Sequence, residues 1–160
     1  MVSNVPQTAE KDFELPISVS VIPELKIVHN VYSGRVTIQD LFDEQTKRHQ
    51  NPAFVMGMPA VNDLSQVTEV DIGFDEMMAY AQKTMETYRD VTTPIQLVLV
   101  GETQVTAAAM AMYENLSAAS NAPFHVDVVP GYPEVLAVLN LPPEGLQHLP
   151  DFCRQESHLL

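Results

Sequence analysis

The residues best suited to chemistry form an acidic group between the third predicted strand and the second predicted helix. Its members are Asp63, Glu69, Asp71, Asp75 and Glu76. Neighbouring carboxylates can bind a divalent cation or act as an acid–base pair. Alternatively, Asp71 or Gly73 caps the helix, and Asp75 and Glu76 occupy its first turn, where the helix dipole favours negative charge. We favour this second interpretation, because the EF-hand spacing is absent and the glycine placement does not suit one.

The spacing of the histidines matches no known metal-binding or catalytic motif. They lie at positions 29, 49, 125, 148 and 158 and show no HExxH or HxH spacing. His125 and Asp127 are two residues apart in a predicted strand, so their side chains share a face and could act together as a hydrolase-type His–acid pair. A surface histidine beside a solvated acid is the commoner case. His148, Cys153 and His158 are spaced five apart, which suits a structural zinc site poorly. We expect no bound metal.

Signatures of cofactor binding are also absent. The chain has no P-loop, no Rossmann glycine set and no G-x-S-x-G turn. Gly101-Glu102-Thr103 is a strand-to-helix turn whose backbone N–H groups could meet an anion. We therefore expect no cofactor and a protein that is not an enzyme.

Composition narrows the class of protein. The chain has 160 residues, and 8 Lys and Arg against 21 Asp and Glu give a net charge of −13. This charge argues against nucleic-acid and anionic-membrane partners, because both need a basic surface. The single cysteine excludes an internal disulfide and suits a reducing cytoplasm. No stretch resembles a secretory signal or a transmembrane helix.

Hydrophobic periodicity predicts the elements that must position these groups. Strands are predicted at 17–21, 25–32, 58–64, 95–100 and 124–129, and helices at 37–49, 74–88, 103–119 and 133–140. Gly34 ends the second strand, and residues 65–71 form a loop. This order predicts an α/β fold with a mixed, mostly parallel sheet of about five strands and about four helices. Residues 1–15 are a flexible lead-in, 16–141 the domain and 142–160 a tail.

Two predicted helices carry candidate interface or pocket residues. The second has an apolar stripe at helical spacing, made of Phe74, Met77, Met78, Ala81, Met85 and Tyr88. From residue 103 to 121 the third carries one charged residue, Glu114. Its predicted inner stripe is Val105, Ala109, Met112, Leu116 and Ala119, and its predicted outer face is Gln104, Thr106, Ala107, Met110, Ala111, Ala118 and Asn121. A charge-poor, Met-bearing face is typical of a dimer interface or a gate over an apolar pocket, unless the tail covers it.

Four segments resemble the SpoIIAA-like, or STAS-like, family of bacterial anti-sigma-factor antagonists. They are residues 31–37 (VYSGRVT), residues 61–67 (VNDLSQV), the strand 95–100 with Gly101 and the helix 103–119, and the strand and helix over 126–141. The chain is most similar to an uncharacterised branch that is also compared with CRAL-TRIO-type lipid-binding domains. The resemblance implies the α/β fold derived above.

One turn departs from the family pattern. True antagonists carry a D-S-S-G stretch whose serine is phosphorylated by a partner kinase. The matching stretch here is Asp71-Ile72-Gly73-Phe74, and neither Ile72 nor Gly73 can accept a phosphoryl group. The resemblance therefore implies a candidate site without its phospho-switch, formed by Asp63, Ser65, Asp71, Ile72 and Gly73.

Three functions follow as hypotheses. The first is a non-enzymatic regulatory domain that contacts another protein or forms a homodimer through the third helix. The second is a carrier of a small apolar molecule or lipid, with a pocket of several hundred cubic ångströms lined by Met77, Met78, Met85 and Tyr88. The third is a small hydrolase or isomerase that uses His125 with the acids near Asp71.

Overall fold

The chain folds into an α/β structure around one five-stranded mixed sheet. The computed structural model describes residues 16–119 and 123–158. The strands are β1 (Ile17–Ile22), β2 (Ile27–Thr37), β3 (Ala60–Asp71), β4 (Ile95–Val100) and β5 (Phe124–Val129), and they lie side by side in sequence order. β1 and β2 form an antiparallel hairpin, whereas β2–β3, β3–β4 and β4–β5 pair in parallel. The α/β class and the mixed five-stranded sheet are thus confirmed.

The described residues contain five α-helices and one 3-10 helix, rather than four helices. These are α1 (Ile38–Gln50), α2 (Phe74–Thr87), α3 (Ala107–Ala119), α4 (Tyr132–Val138), the 3-10 helix Pro143–His148 and α5 (Asp151–His158). The predicted lead-in, residues 1–15, lies outside the described residues.

Strands β2 and β3 are both longer than predicted. Gly34 does not end β2, and the predicted loop 65–71 is part of β3. The two strands pair as far as Thr37 with Asp71, across register shifts near Ser33 and Gly34. Gly34 has φ of +69°, a conformation that glycine adopts without strain. The glycine therefore allows an irregularity within the strand instead of ending it.

The alternation of side chains along the strands divides the core between two faces. On one face, which we call the cavity face, Met110 of α3 packs with Val28, Ala60, Leu97 and Leu99. The opposite face, which we call the C-terminal face, is covered by a different set of residues. Tyr132, Val135, Leu149 and Cys153 pack there with Ile27, Val61, Val98, Val100 and Val129.

Helix α1 starts with a capping box. Asp40 Oδ2 accepts hydrogen bonds from the Thr37 backbone N–H at 2.8 Å and from the Thr37 hydroxyl at 3.1 Å. Both contacts satisfy groups at the helix N-terminus. Glu44 and Arg48 of this helix are buried. They are tolerated because they pair with each other.

Helix α2 begins after Gly73, whose backbone N–H donates to Glu76 Oε1 at 2.8 Å. Its apolar stripe is only partly as predicted. Met77 and Tyr88 are buried, but Tyr80 and Thr84 complete the inner face, while Phe74 is 57% exposed. Met78, Ala81 and Met85 are half-buried. The inner face therefore follows positions 77, 80, 84 and 88, which suits one helical stripe.

Helix α3 is rotated relative to the prediction. Thr106 and Met110, expected on the outer face, are buried at 0% and 3% exposure, whereas Val105, expected inside, is 44% exposed. The helix begins at Ala107, because Thr103 and Thr106 form a hydrogen-bonded turn before it. Many small apolar residues on all sides give this helix little periodic signal, so its buried face could not be read from the pattern.

The predicted tail is folded against the C-terminal face. Its described part, residues 142–158, contains the 3-10 helix and α5, and it buries Leu149 and Cys153 in the core. Arg154 Nη1 donates to the backbone oxygens of Leu146 and Leu149 at 2.8 and 3.1 Å. These residues lie on the face opposite α3, so the described part of the tail does not cover α3, contrary to that alternative.

Gly101, which follows β4, is held where no side chain fits. Its φ is +84°, and a Cβ atom at this position would lie 2.6 Å from Ser65 Cβ. The backbone of the β4–α3 turn therefore approaches β3 closely, which requires glycine.

Candidate functional site

The acidic residues grouped by the sequence are separated in the structure. Asp63 is fully buried, whereas the exposed Glu69 and Asp71 side chains both pair with Arg35. Glu76 caps α2, and Asp75 is exposed in the same first turn. Of the two predicted caps Gly73 is the N-cap, and Asp75 and Glu76 lie in the first turn as predicted, so these acids do not form one cation site.

The residues of the candidate site at the phosphoserine turn fall into two places. Ser65 donates to Asp63 Oδ1 from its backbone N–H at 2.9 Å and from its hydroxyl at 2.6 Å. Asp71 ends β3, Ile72 lies between β3 and α2, and Gly73 is the N-cap of α2. Ile72 lines the cavity described next, so its side chain lies where the turn meets the interior.

A cavity lies between the sheet and helices α1, α2 and α3, with a volume of about 70 Å³ for the centre of a water-sized sphere. It is partly open to solvent. The lining residues are Tyr32, Val36, Leu41, Asn62, Leu64, Val70, Ile72, Met77, Tyr80, Leu99, Ala109, Met110 and Tyr113. None of them carries a formal charge, and four of them offer a hydroxyl or amide group.

The candidate pocket and interface residues are partly brought together there. Met77 and Met110 line the cavity, whereas Met78, Met85 and Tyr88 do not. Tyr88 packs edge-on against Phe124, with the ring centroids 5.1 Å apart. Gln104 is exposed and Met112 is half-buried. The cavity lies between the sheet and the helices, where the pocket was predicted, but it is smaller than predicted, and of the four predicted lining residues only Met77 lines it.

A buried polar network adjoins the cavity. Asn30 Nδ2 donates to Asn62 Oδ1 at 2.8 Å and to Glu44 Oε2 at 2.9 Å, and Arg48 Nη1 donates to Glu44 Oε2 at 2.8 Å. Within the described part of the chain, two buried atoms of this network, Asn30 Oδ1 and Arg48 Nε, have no hydrogen-bond partner. Burial raises the pKa of Glu44, and Arg48 opposes that shift.

Burial also raises the pKa of the tyrosines around the cavity. The pKa of Tyr113 rises to about 12, and the pKa values of Tyr32 and Tyr80 rise well above their usual value. The Glu44 carboxylate adds to all three shifts, because a nearby negative charge disfavours a phenolate. A negative charge is therefore unfavourable in the cavity.

The C-terminal face contains a second buried polar group. Tyr132 donates from its hydroxyl to Asp63 Oδ2 at 2.6 Å, and His29 Nε2 lies 2.8 Å from the same hydroxyl. Since that hydroxyl gives its proton to Asp63, the imidazole N–H is the donor in the second contact. Cys153 hydrogen-bonds the Tyr132 side chain as well. A ring nitrogen of His29, a carboxylate oxygen of Asp63 and Cys153 Sγ all lie within 4.8 Å of one another.

His29 and Tyr132 keep their neutral forms in this group. Burial lowers the pKa of His29 to about 4, and the attraction of Asp63 opposes this shift only in part. The pKa of Tyr132 is raised, first by burial and then by Asp63. At neutral pH the imidazole is thus unprotonated and the phenol keeps its proton.

His125 and Asp127 share a face of β5 as predicted, with 3.5 Å between Nε2 and Oδ2. The His125 side chain is 65% exposed. Strand β4 lies between this pair and β3, which carries Asp63 and Asp71. The pair is therefore not joined to the acids with which it was expected to act.

Sequence reasoning missed the partnership of His29, Asp63, Tyr132 and Cys153. A signal was nevertheless present. The dipeptides His29-Asn30 and Asn62-Asp63 interrupt the apolar first halves of β2 and β3, and consecutive strand residues point to opposite faces. Each dipeptide therefore supplies one polar side chain to each face, and Asn30 pairs with Asn62 in the register.

Comparison with known proteins adds no relative. No family model matches the chain, and no curated protein is significantly similar to it. No helix among residues 16–119 and 123–158 has the length and apolar character needed to cross a bilayer.

Proposed function

We propose that the protein is a non-enzymatic domain that binds a small, neutral, largely apolar molecule in the cavity between the sheet and helices α1–α3. The cavity itself is the observation that carries this proposal. Its lining is mainly aliphatic and thioether, with a few hydroxyl and amide groups, as is usual for small-molecule sites. This proposal is a form of the lipid-carrier hypothesis that the resemblance to CRAL-TRIO-type domains suggests.

The size of the cavity limits the occupant. One water needs about 10–15 Å³ in this measure, so the cavity of about 70 Å³ has room for about five waters. An engineered apolar cavity of about 150 Å³ holds benzene. A molecule with a few non-hydrogen atoms fills the enclosed space, and a longer one places only its end there because the cavity is partly open.

The polarity of the lining favours a neutral hydrogen-bond acceptor on that molecule. Asn62 Oδ1 already accepts from Asn30, while no residue of the described chain accepts from Asn62 Nδ2. This amide is the donor available to a carbonyl or hydroxyl oxygen. A carboxylate is disfavoured, since Arg48 is paired with Glu44 and no lining residue carries a positive charge.

A pair of neighbouring alanines provides the test. Ala109 lines the cavity, whereas Ala108 on the same helix is exposed. Binding of 1-hexanol and of hexanoate is measured by NMR titration of the wild type, A109L and A108L. We expect hexanol to shift resonances of the cavity residues, A109L to abolish these shifts and A108L to keep them. Equal binding to A109L would overturn the site, and hexanoate binding as tightly as hexanol would overturn the neutral class.

A second function is favoured by one surface feature. Phe74, in the first turn of α2, is 57% exposed, and Val105, before α3, is 44% exposed. Phe74 follows β3 and Val105 follows β4, and because these strands are parallel, both residues lie at the carboxyl ends of the strands. A protein-interaction role for the SpoIIAA-like fold, through a homodimer or another protein, would use this edge. Sedimentation of wild type and F74S tests it, and a wild-type monomer across micromolar concentrations counts against the homodimer.

A further inference from the structure

We propose that His29, Asp63 and Cys153, with Tyr132 as a fourth donor, form a buried site for a divalent cation of the zinc type. This site lies on the C-terminal face of the sheet, so it is independent of the cavity and of the function proposed for it. All four side chains are essentially inaccessible, with exposures between 0% and 2%. Imidazole, thiolate and carboxylate are the three ligand types that zinc takes in proteins.

The distances are close to those of a coordination sphere. Three atoms no more than 4.8 Å apart share a centre within about 2.8 Å of each, which is 4.8 divided by √3. Zinc bonds to nitrogen, oxygen and sulfur are about 2.0–2.3 Å long, so inward side-chain shifts of about 0.5–0.8 Å suffice. The Tyr132 oxygen already lies 2.8 Å from His29 Nε2 and 2.6 Å from Asp63 Oδ2, which places a fourth donor beside the other three.

The charges of the group also fit a divalent cation. Asp63 is a fully buried carboxylate that takes part in no salt bridge within the described residues. When the cation binds, Cys153 releases its thiol proton to solvent and its sulfur bonds the metal. A dication with one thiolate, one carboxylate, a neutral imidazole and a neutral phenol has no net charge. Such a complex can lie in an apolar core, where an uncompensated charge would be costly.

A cation bound at this site would link the C-terminal segment to the sheet. His29 lies on β2 and Asp63 on β3, whereas Tyr132 begins α4 and Cys153 lies on α5. A cation held by all four therefore links α4 and α5 to the two longest strands. The site is structural rather than catalytic, because its four donor side chains are almost completely buried and fill a closed coordination sphere.

Refolding with a spectroscopic metal tests the site. The full chain is unfolded in denaturant with a chelator and refolded with Co²⁺ or Zn²⁺. We expect one equivalent of bound metal, and a thiolate-to-Co²⁺ charge-transfer band in the near ultraviolet. The urea midpoint should rise with the Zn²⁺ concentration, because the metal binds the folded chain.

Two variants separate this site from adventitious surface binding. C153S changes one ligand atom, and it should lose the charge-transfer band while keeping the far-ultraviolet spectrum of the folded chain. H125Q removes the exposed histidine beside Asp127 and should keep the band. A wild type that refolds without bound Co²⁺, or binds it without thiolate ligation, overturns the site and leaves a hydrogen-bonded network. If C153S does not fold, the wild-type spectrum and H29Q decide the question.

Discussion

Removing the charge of Arg48 should destabilise the protein in a pH-dependent manner. In R48M the apolar stem still packs near Phe54 and Tyr88, whose ring centroids lie 5.7 and 5.9 Å from the guanidinium carbon. The Glu44 carboxylate, however, stays buried. Of its two hydrogen-bond donors, Asn30 and Arg48, only Asn30 remains. Loss of one member of a buried ion pair costs about 3–5 kcal/mol. For a chain of this length that corresponds to a Tm lowered by about 6–20 °C.

The sign of the pH effect follows from Glu44. Burial raises its pKa above the ordinary 4.5, and loss of Arg48 removes the charge that opposes this rise. The folded state then holds the Glu44 proton at pH values where the unfolded chain has released it. Its contribution to stability is complete below about pH 4.5 and is lost as the pH rises through the folded-state pKa. R48M should therefore be close to wild type in acid and well below it at neutral pH.

Urea unfolding of wild type, R48M and R48K at several pH values from 4 to 8 measures this. R48K keeps a cation beside Glu44 and should lose much less stability, with a weaker pH dependence. The double variant E44L/R48M should recover most of the loss, because it removes both buried charges. A loss in R48M that is under about 1 kcal/mol at pH 7, or that is equal at pH 4 and pH 8, refutes the reasoning.

Other positions give shorter tests. G101A should cost at least about 1 kcal/mol more than G57A, because both positions have positive φ but only Gly101 faces another chain segment, Ser65, within 4 Å; equal urea midpoints would contradict this. All five tyrosines have raised pKa values, with Tyr113 at about 12, so phenolate absorbance should appear only above pH 10 and stability should fall as it does. A tyrosine titrating near 10 in the folded protein would show that this burial is wrong. The buried Cys153 should react with a thiol reagent only after unfolding, and rapid labelling of the native chain would show that α5 is not docked.

The sequence allowed the order of the main elements to be predicted, because most strands and helices from β1 to α4 have a clear local pattern, α3 being the exception. Strand β4, for example, is a continuous apolar run and was located at both ends. Lengths were harder to predict. The polar residues 65–71 suggest a loop, yet they extend β3 by pairing with the far end of β2. Pairing between distant segments is a tertiary effect, and local propensity cannot show it.

The sites were less accessible to prediction, because each depends on contacts between segments far apart in the chain. Asp63 and Tyr132 are 69 residues apart, and His29 and Tyr132 are 103 apart. Cys153 was placed in a tail because Pro142 and Pro143 end the preceding helix and little apolar periodicity follows them. Its burial is explained by Leu149, which packs in the core with the strands, and by Arg154, whose two hydrogen bonds to the Leu146 and Leu149 backbone oxygens join α5 to the 3-10 helix.

The two candidate sites have a common origin in the pleat of β2 and β3. A strand in the middle of a sheet covered on both faces would normally be apolar throughout. Here His29 and Asp63 face α4 and α5, while their neighbours Asn30 and Asn62 face α1–α3. Burying four polar side chains costs free energy unless each is bonded, and in both groups the partners are supplied by helices rather than by the sheet alone. Substitution at one face should therefore leave the other intact, since the two groups share backbone but no side-chain contact.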